Sequence, residues 1–159
     1  MLYETYKDKV YSIALYYFHG DGATAGDITQ QVFLKAMTGF AQFRGDSAVS
    51  TWLYRLTANA CRDRSRGAVR REVAVDPAHL ARVAVASSQD DALMRDEEGI
   101  RVRAAIASLP GKLRLPVLLR YFDDLSYGDL ARALGCSPGT VASRLNRGHR
   151  LLREKLGKR

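Results

Sequence analysis

The sequence is poor in the residues that most often build metal centres and disulfide frameworks. Among its 159 residues are two cysteines, Cys61 and Cys136, and three scattered histidines. Neither cysteine has a second Cys or His at metal-ligand spacing. We therefore interpret both as reduced thiols in separate cores, in keeping with the rarity of cytosolic disulfides, and we expect no metal and no cofactor.

Long apolar runs are lacking as well. No segment approaches the roughly 20 apolar residues needed to cross a bilayer, and the first residues lack the basic stretch and apolar core of a signal peptide. The motifs GxxxxGKS/T, HExxH and GxSxG, which mark common enzymes, do not occur. These absences favour a cytoplasmic protein that is not inserted in a membrane and is not an enzyme in its own right.

Charge is abundant, mostly basic and unevenly distributed. The formal net charge of +8 favours a polyanionic partner. Residues 44–71 hold seven arginines against two acids, and residues 138–159 hold seven Lys or Arg against one acid. Residues 72–98 have the opposite balance, with two arginines against seven acids. A surface that is merely solvated would mix the two signs more evenly.

Helical spacing of apolar residues dominates the first 68 residues. Helices are predicted from Leu2 to about Phe18, from Ala23 to Met37, and from near Ser50 into an Arg-rich end. Thr24 is the predicted N-cap of the second helix. Its predicted inward side consists of Ile28, Val32, Phe33, Ala36 and Met37.

The remainder divides into a linker and a second helical unit. Residues 69–95 keep no long apolar period and contain Pro77, which indicates a flexible acidic linker. Helical patterns resume in residues 96–159, and no strand signal of any strength occurs. The predicted fold class is therefore all-α, with two small helical domains, 1–68 and 96–159, joined by the linker.

The segment from Ser126 to Leu152 has the pattern helix, Gly-containing turn, helix. Ser137 as N-cap and Pro138 at the first helical position are typical of a helix start. Arginine pairs bidentately with guanine, and hydroxyls contact bases or phosphates. An amphipathic helix with a merely solvated basic side is the alternative. The predicted apolar side is Val141, Leu145, Gly148 and Leu152, and the polar side is Thr140, Ser143, Arg144, Arg147 and Arg150.

These same residues resemble a known family. Leu125–Ala131 and Leu134–Leu145, with Arg114–Tyr121 upstream, look like region 4 of extracytoplasmic-function (ECF) sigma factors of the sigma-70 family. The resemblance implies a helix-turn-helix that reads the minus-35 promoter element in the major groove. The residues that it implies for this contact are Ser137, Thr140, Ser143, Arg144 and Arg147.

The N-terminal half resembles region 2 of the same family in two places. Ala25–Ala36 is similar to the helix that docks on the coiled coil of the largest polymerase subunit, which implies that Asp27, Gln30 and Gln31 bind polymerase. Phe43–Gly45 and Thr51–Asn59 look like the part that binds the minus-10 element, where unstacked bases need polar loops and aromatic faces. The implied minus-10 residues are Arg44, Asp46, Ser47, Trp52, Arg55, Asn59, Arg62 and Arg64.

Some positions depart from the family pattern or have a second interpretation. Gln31 stands where Glu is frequent, and Met37 stands where Trp is frequent. The loop after Gly45 has no Asn of the kind that some relatives use to bind the flipped base, which leaves the minus-10 sequence preference open. Trp52 can also be a core anchor, because large aromatics dominate small cores.

The resemblance implies a sigma factor that binds core RNA polymerase and directs promoter-specific transcription initiation. Its expected partners are core polymerase, promoter DNA and an anti-sigma factor. The alternative is a stand-alone helix-turn-helix transcriptional regulator, which would bind an operator with its C-terminal domain and dimerise or sense with its N-terminal domain. The two hypotheses differ in whether core polymerase is needed for specific DNA binding.

Overall fold

The structure, a computed structural model, describes residues 2–43, 45, 48–68 and 97–157. These residues form α-helices and one short 3-10 helix, without a strand among them, so the predicted all-α class is confirmed. The predicted linker, 69–95, lies outside the described residues. The N-terminal domain contains α1 (Leu2–Tyr17), α2 (Gly22–Gly39), the 3-10 helix Phe40–Gln42 and α3 (Val49–Ala68). The C-terminal domain contains α4 (Glu97–Ala107), α5 (Gly111–Asp123), α6 (Tyr127–Leu134) and α7 (Pro138–Gly157).

The residue that caps the start of α2 is not the predicted one. Asp21, and not Thr24, is the N-cap: Oδ1 of Asp21 accepts a hydrogen bond from the backbone N–H of Thr24 at 3.2 Å. The Thr24 hydroxyl donates to Oδ2 of Asp21 at 2.7 Å. Gly22 and Ala23 are already helical, so Thr24 is the third residue of the helix. The bonds from Thr24 hold the pKa of Asp21 below its usual value.

The inward side of α2 is as predicted except at its end. Ile28, Val32, Phe33 and Ala36 are buried, whereas the side chain of Met37 is 78% exposed. Met37 follows Ile28 by nine positions, which is two and a half turns of helix, so the two side chains point in opposite directions. The prediction that Met37 faces inward is wrong.

The C-terminal domain is built around α5, which packs against α4, α6 and α7. Its buried residues include Leu115, Val117, Leu118 and Leu119. Pro116 lies within the first half of α5, and the helix ends at Asp124, a residue with a left-handed φ of 49°. The backbone N–H of Asp124 donates to the carbonyl of Arg120 at 2.9 Å, which closes the last turn.

The two domains pack against each other. α1 contacts α4 and α5, and α3 contacts α6. The buried apolar residues of both domains consequently form one continuous core.

Candidate nucleic-acid interface

The turn between α6 and α7 depends on a left-handed glycine. Ser126 caps α6, because its Oγ accepts a hydrogen bond from the backbone N–H of Asp129 at 3.1 Å. The helix ends at Gly135, whose φ of 69° is a conformation that glycine adopts without strain. The N–H of Gly135 donates to the carbonyl of Ala131 at 2.8 Å. The predicted helix, turn and helix are therefore present, with the start of α7 at the surface.

The inner side of α7 is held closely on α5. Val141, Leu145, Gly148 and Leu152 are buried, as predicted. A Cβ atom at Gly148 would lie 2.8 Å from Cγ2 of Val117 on α5, so a side chain here would force the helices apart. The backbone of α7 thus lies directly on α5, and the opposite side of α7 faces outward.

The predicted minus-35 residues share this outward side. Ser137, Ser143 and Arg147 are exposed, and Thr140 and Arg144 are half-buried. The Oγ of Ser137 accepts a hydrogen bond from the N–H of Thr140 at 3.1 Å and lies 3.0 Å from the Thr140 hydroxyl. In the described part of the chain neither Arg144 nor Arg147 forms an ion pair. A capped helix start and two uncompensated guanidiniums suit DNA phosphates and guanine edges.

A second basic surface runs along α3. Trp52, Arg55, Asn59 and Arg62 follow one another at intervals of three, four and three residues, which places them on one side of the helix. Arg55 and Asn59 are exposed, and Trp52 and Arg62 are half-buried. Arg66 continues the same side with a side chain that is 79% exposed. We call these five residues the α3 stripe.

Aromatic rings meet at the N-terminal end of the α3 stripe. The ring centroid of Trp52 lies 5.3 Å from that of Phe43 and 6.2 Å from that of Phe40. Phe40 is 54% exposed. Trp52 itself is half-buried, so it packs on these rings while part of its own ring stays accessible. The sequence reasoning missed Phe40, although an aromatic residue just after the end of an amphipathic helix was a usable signal.

Not all of the predicted minus-10 residues belong to the α3 stripe. Arg64 lies about 200° around the helix from Arg62, since each residue turns the helix by about 100°. Its Nη2 atom is 3.5 Å from Oδ2 of Asp27 on α2. Arg44, Asp46 and Ser47 lie outside the described residues.

The predicted polymerase-binding residues lie along one side of α2. Asp27 and Gln30 are exposed, and Gln31 is half-buried. The same side continues to Leu34 and Met37, which are 56% and 78% exposed. We call these five residues the α2 face. Exposed apolar residues next to polar ones are typical of a protein–protein contact, and the sequence reasoning missed the apolar half.

Two kinds of feature are absent from the described residues. They contain no group of three or more His, Cys, Asp or Glu side chains that could hold a metal, and none of their helices is long and apolar enough to cross a membrane. Both cysteines are free thiols, and burial raises the pKa of Cys61 to about 12.

Models of two protein families match the chain. Sigma-70 region 2 matches residues 2–71, and sigma-70 region 4 matches residues 100–152. The RNA polymerase sigma-H factor of Pseudomonas aeruginosa is 35% identical over 150 residues, which are 89% of this chain and 77% of that protein. The ECF RNA polymerase sigma factor SigW of Bacillus subtilis is 32% identical over 161 residues, covering 96% of this chain and 86% of SigW.

Two solved structures have a similar fold. The sigma factor RpoE of Bartonella quintana, in complex with the anti-sigma factor NepR, superposes with a TM-score of 0.71 at 23% identity, covering 99% of this chain and 95% of that chain. CnrH, in complex with the cytosolic domain of CnrY, gives a TM-score of 0.68 at 23% identity, covering 98% of this chain and 85% of that chain. The likeness extends over both helical domains.

Proposed function

Because this chain belongs to the ECF group of sigma-70 family sigma factors, which direct transcription initiation, we propose that its two domains bind two elements of one promoter. We assign residues 1–68 to polymerase docking, minus-10 recognition and melting, and residues 96–159 to minus-35 recognition. Residues 69–95 are the linker between them.

The observation that carries this assignment is the outward side of α7. Arg144 and Arg147 lie there without carboxylate partners among the described residues, next to the capped helix start at Ser137 and Thr140. Placed in a major groove, this side brings guanidiniums to base edges and hydroxyls and helix N–H groups to phosphates. The apolar side seated on α5 keeps the helix in one orientation.

Minus-10 binding is assigned to the α3 stripe and the rings beside it. Arginines spaced along one side of a helix contact successive phosphates, which explains binding without sequence preference. The accessible parts of Trp52 and Phe40 provide faces on which unpaired bases stack. Asn59 adds an amide that can read a base edge. A strand that binds in this way stays separated from its complement.

Core polymerase is assigned to the α2 face. The exposed Asp27 and Gln30 provide polar contacts, and Leu34 and Met37 provide apolar area that solvent would otherwise cover. Gln31 bears no charge, so this contact relies less on electrostatic attraction than a surface with two acids. The α2 face and the α3 stripe use different residues, which allows polymerase and DNA to bind together.

Two further proposals concern partners and location. An anti-sigma factor is proposed as a regulator, because one of the solved structures with a similar fold is a sigma factor in complex with an anti-sigma factor. A cytoplasmic location follows from the proposed partnership with polymerase and DNA. We also propose that the chain carries no catalytic activity of its own and that polymerase performs the chemistry.

Reconstitution with core polymerase tests the proposed function. DNA bound from a random pool by the reconstituted complex is sequenced, and the recovered promoter is used as a template for transcription in vitro. We expect initiation at one site only when both the chain and core polymerase are present. Tight operator binding by the chain alone, with no effect of core polymerase, contradicts this and supports a stand-alone regulator.

A further inference from the structure

Arg150 is the one residue on the predicted polar side of α7 that the minus-35 assignment leaves out. Its side chain is exposed. Glu154 follows four positions later, at the spacing of a helical ion pair, yet Arg150 forms no ion pair with it or with any other described residue. The guanidinium of Arg150 is therefore available to an anion outside the described chain.

Arg150 points in nearly the same direction as two residues assigned to the minus-35 element. Each residue turns an α-helix by about 100°, so Arg150 lies about 20° from Ser143 and about 60° from Arg147 around the axis of α7. Arg153 is exposed as well, but it lies about 120° from Arg147 and about 180° from Arg144. Arg150 consequently belongs to the side of α7 that is assigned to DNA, and Arg153 does not.

The backbone of α7 is anchored to other helices on both sides of Arg150. Before it, Gly148 lies against Val117 of α5, and after it Leu152 is buried. At the end of the helix, Nη2 of Arg101 on α4 donates a hydrogen bond to the carbonyl of Leu156 at 3.1 Å. These contacts fix the position of Arg150 relative to the minus-35 residues.

α7 is longer than the width of a major groove. It has 20 residues and is therefore about 30 Å long, whereas the groove is about 12 Å wide. A recognition helix contacts base edges with its N-terminal residues, so its later turns lie over the phosphates that border the groove. Arg150 is about 15 Å beyond Thr140 along the axis, at this border. Glu154 is about 6 Å farther on, where its carboxylate repels phosphate and ends the contact.

We propose that Arg150 binds a backbone phosphate that borders the minus-35 element, and that this contact adds affinity without reading sequence. The proposal rests on the proposed function, because it requires the outward side of α7 to lie in the groove. A guanidinium forms charge-assisted hydrogen bonds with phosphate oxygens, and each such contact releases condensed counterions from DNA. Arg144 and Arg150 thus have different roles on one helix, the first at a base and the second at the backbone.

Binding of the reconstituted holoenzyme to the selected promoter tests this contact. We expect Arg150→Ala to weaken binding roughly three- to tenfold at physiological salt and to lower the log–log salt slope by roughly 0.9. The loss should be equal for the selected minus-35 sequence and for its single-base variants, because every sequence has the phosphate. Arg150→Lys should restore affinity and slope, since a phosphate contact needs a cation more than the planar fork of arginine.

Arg153→Ala is the matched control. It removes the same charge from the same helix, on a side that is not assigned to DNA, and it should leave the salt slope as in the wild type. Circular dichroism confirms that each variant keeps its helices. Equal slopes for Arg150→Ala and Arg153→Ala overturn the proposal. A loss of discrimination between minus-35 sequences in Arg150→Ala also overturns it, because the residue would then read a base.

A set of promoters that each carry one neutral methylphosphonate identifies the phosphate. The substitutions cover the minus-35 element and the base pairs that flank it on both sides. At one position, neutralisation should weaken binding by the wild type but not by Arg150→Ala, since the variant has already lost that contact. If every position affects the wild type and Arg150→Ala equally, no phosphate is coupled to Arg150 and the proposal is overturned.

The failure of this contact is distinguishable from the failure of the proposed function. A wild-type holoenzyme without preference for any minus-35 sequence rejects the proposed function. A holoenzyme that keeps its minus-35 preference, while Arg150→Ala behaves as Arg153→Ala does, rejects the phosphate contact alone.

Discussion

Nη2 of Arg64 lies 3.5 Å from Oδ2 of Asp27, and this contact joins α3 to α2 on the side of α3 away from the α3 stripe. Arg64 therefore belongs to the neighbourhood of the α2 face, although it is only two residues from Arg62. The pair is exposed at both ends, with side chains 45% and 65% accessible, so its contribution to stability is small.

We expect Arg55→Ala and Arg64→Ala to affect promoter DNA differently. Arg55 lies on the α3 stripe, so its loss should remove about one phosphate contact and lower the salt dependence of holoenzyme binding by roughly 0.7–0.9 in log–log slope. Arg64→Ala should leave that slope unchanged, because its guanidinium is directed at Asp27. Binding isotherms at several salt concentrations measure both slopes, and an equal loss in the two variants would contradict the assignment of Arg64.

On α7, Arg144→Ala should weaken recognition of the minus-35 element without reducing affinity for core polymerase. The expected loss of discrimination between the selected sequence and a single-base variant is about 1–3 kcal/mol if the arginine pairs with a base. Arg153→Ala is the control, since this exposed residue lies on the same helix but away from the minus-35 residues. Competition binding with the reconstituted holoenzyme measures the effect, and a parallel loss of core binding would indicate unfolding of the domain.

Gly148→Ala should destabilise the protein, although alanine is the better helix former. The added Cβ would meet Cγ2 of Val117 at 2.8 Å, and such overpacking costs about 1–3 kcal/mol. Gly26→Ala is the opposite control, because a Cβ there has no atom within 4 Å and helix propensity favours it by up to about 1 kcal/mol. Urea unfolding measures the free energy of unfolding, which should fall for Gly148→Ala and rise for Gly26→Ala. A rise for Gly148→Ala would show that α7 and α5 are farther apart than the 2.8 Å contact implies.

Stability should fall as the pH is lowered below about 6.5, and His19 should contribute to this fall. Burial, and then the nearby Arg114 charge, lower the pKa of His19 from its ordinary 6.5. The unfolded chain consequently takes up a proton at a higher pH than the folded one, so the loss begins near 6.5 and is complete below the folded pKa. His19→Asn suits the left-handed φ of 57° at this position. This variant should make the melting temperature depend less on pH between 7.5 and 5. A pH dependence equal to that of the wild type would exclude His19 as the cause.

Local signals predicted the C-terminal half of the site well. Ser137 and Pro138 predicted the start of α7, and the four apolar residues of α7 are all buried. Strong caps and a long amphipathic period act within a few residues, so they specify the same helix however the rest of the chain packs. Thr24 is the predicted cap, whereas Asp21, which stands between two glycines, is the actual N-cap.

The error at Met37 has a different origin. Met37 was assigned to the inward side of α2, whereas its angle around the helix places it on the outward side. The packing of the two domains was not predictable, because it joins residues such as Lys9 and Asp123 that are far apart in sequence. The run of consecutive apolar residues from Ile13 to Tyr17 was a local signal of this domain packing. A helix that is buried in every direction needs helices from a second domain to cover it.

The closeness of Gly148 to Val117 has a consequence for how promoter preference can change. Because residue 148 has no side chain, Val117 of α5 packs against the backbone of α7, and the two helices are closely joined there. If the outward side of α7 reads the minus-35 element as proposed, substitutions there should change the preferred bases while the packing of α7 on α5 stays the same. Variants with different promoter preferences can therefore keep the same packing of α7 on α5.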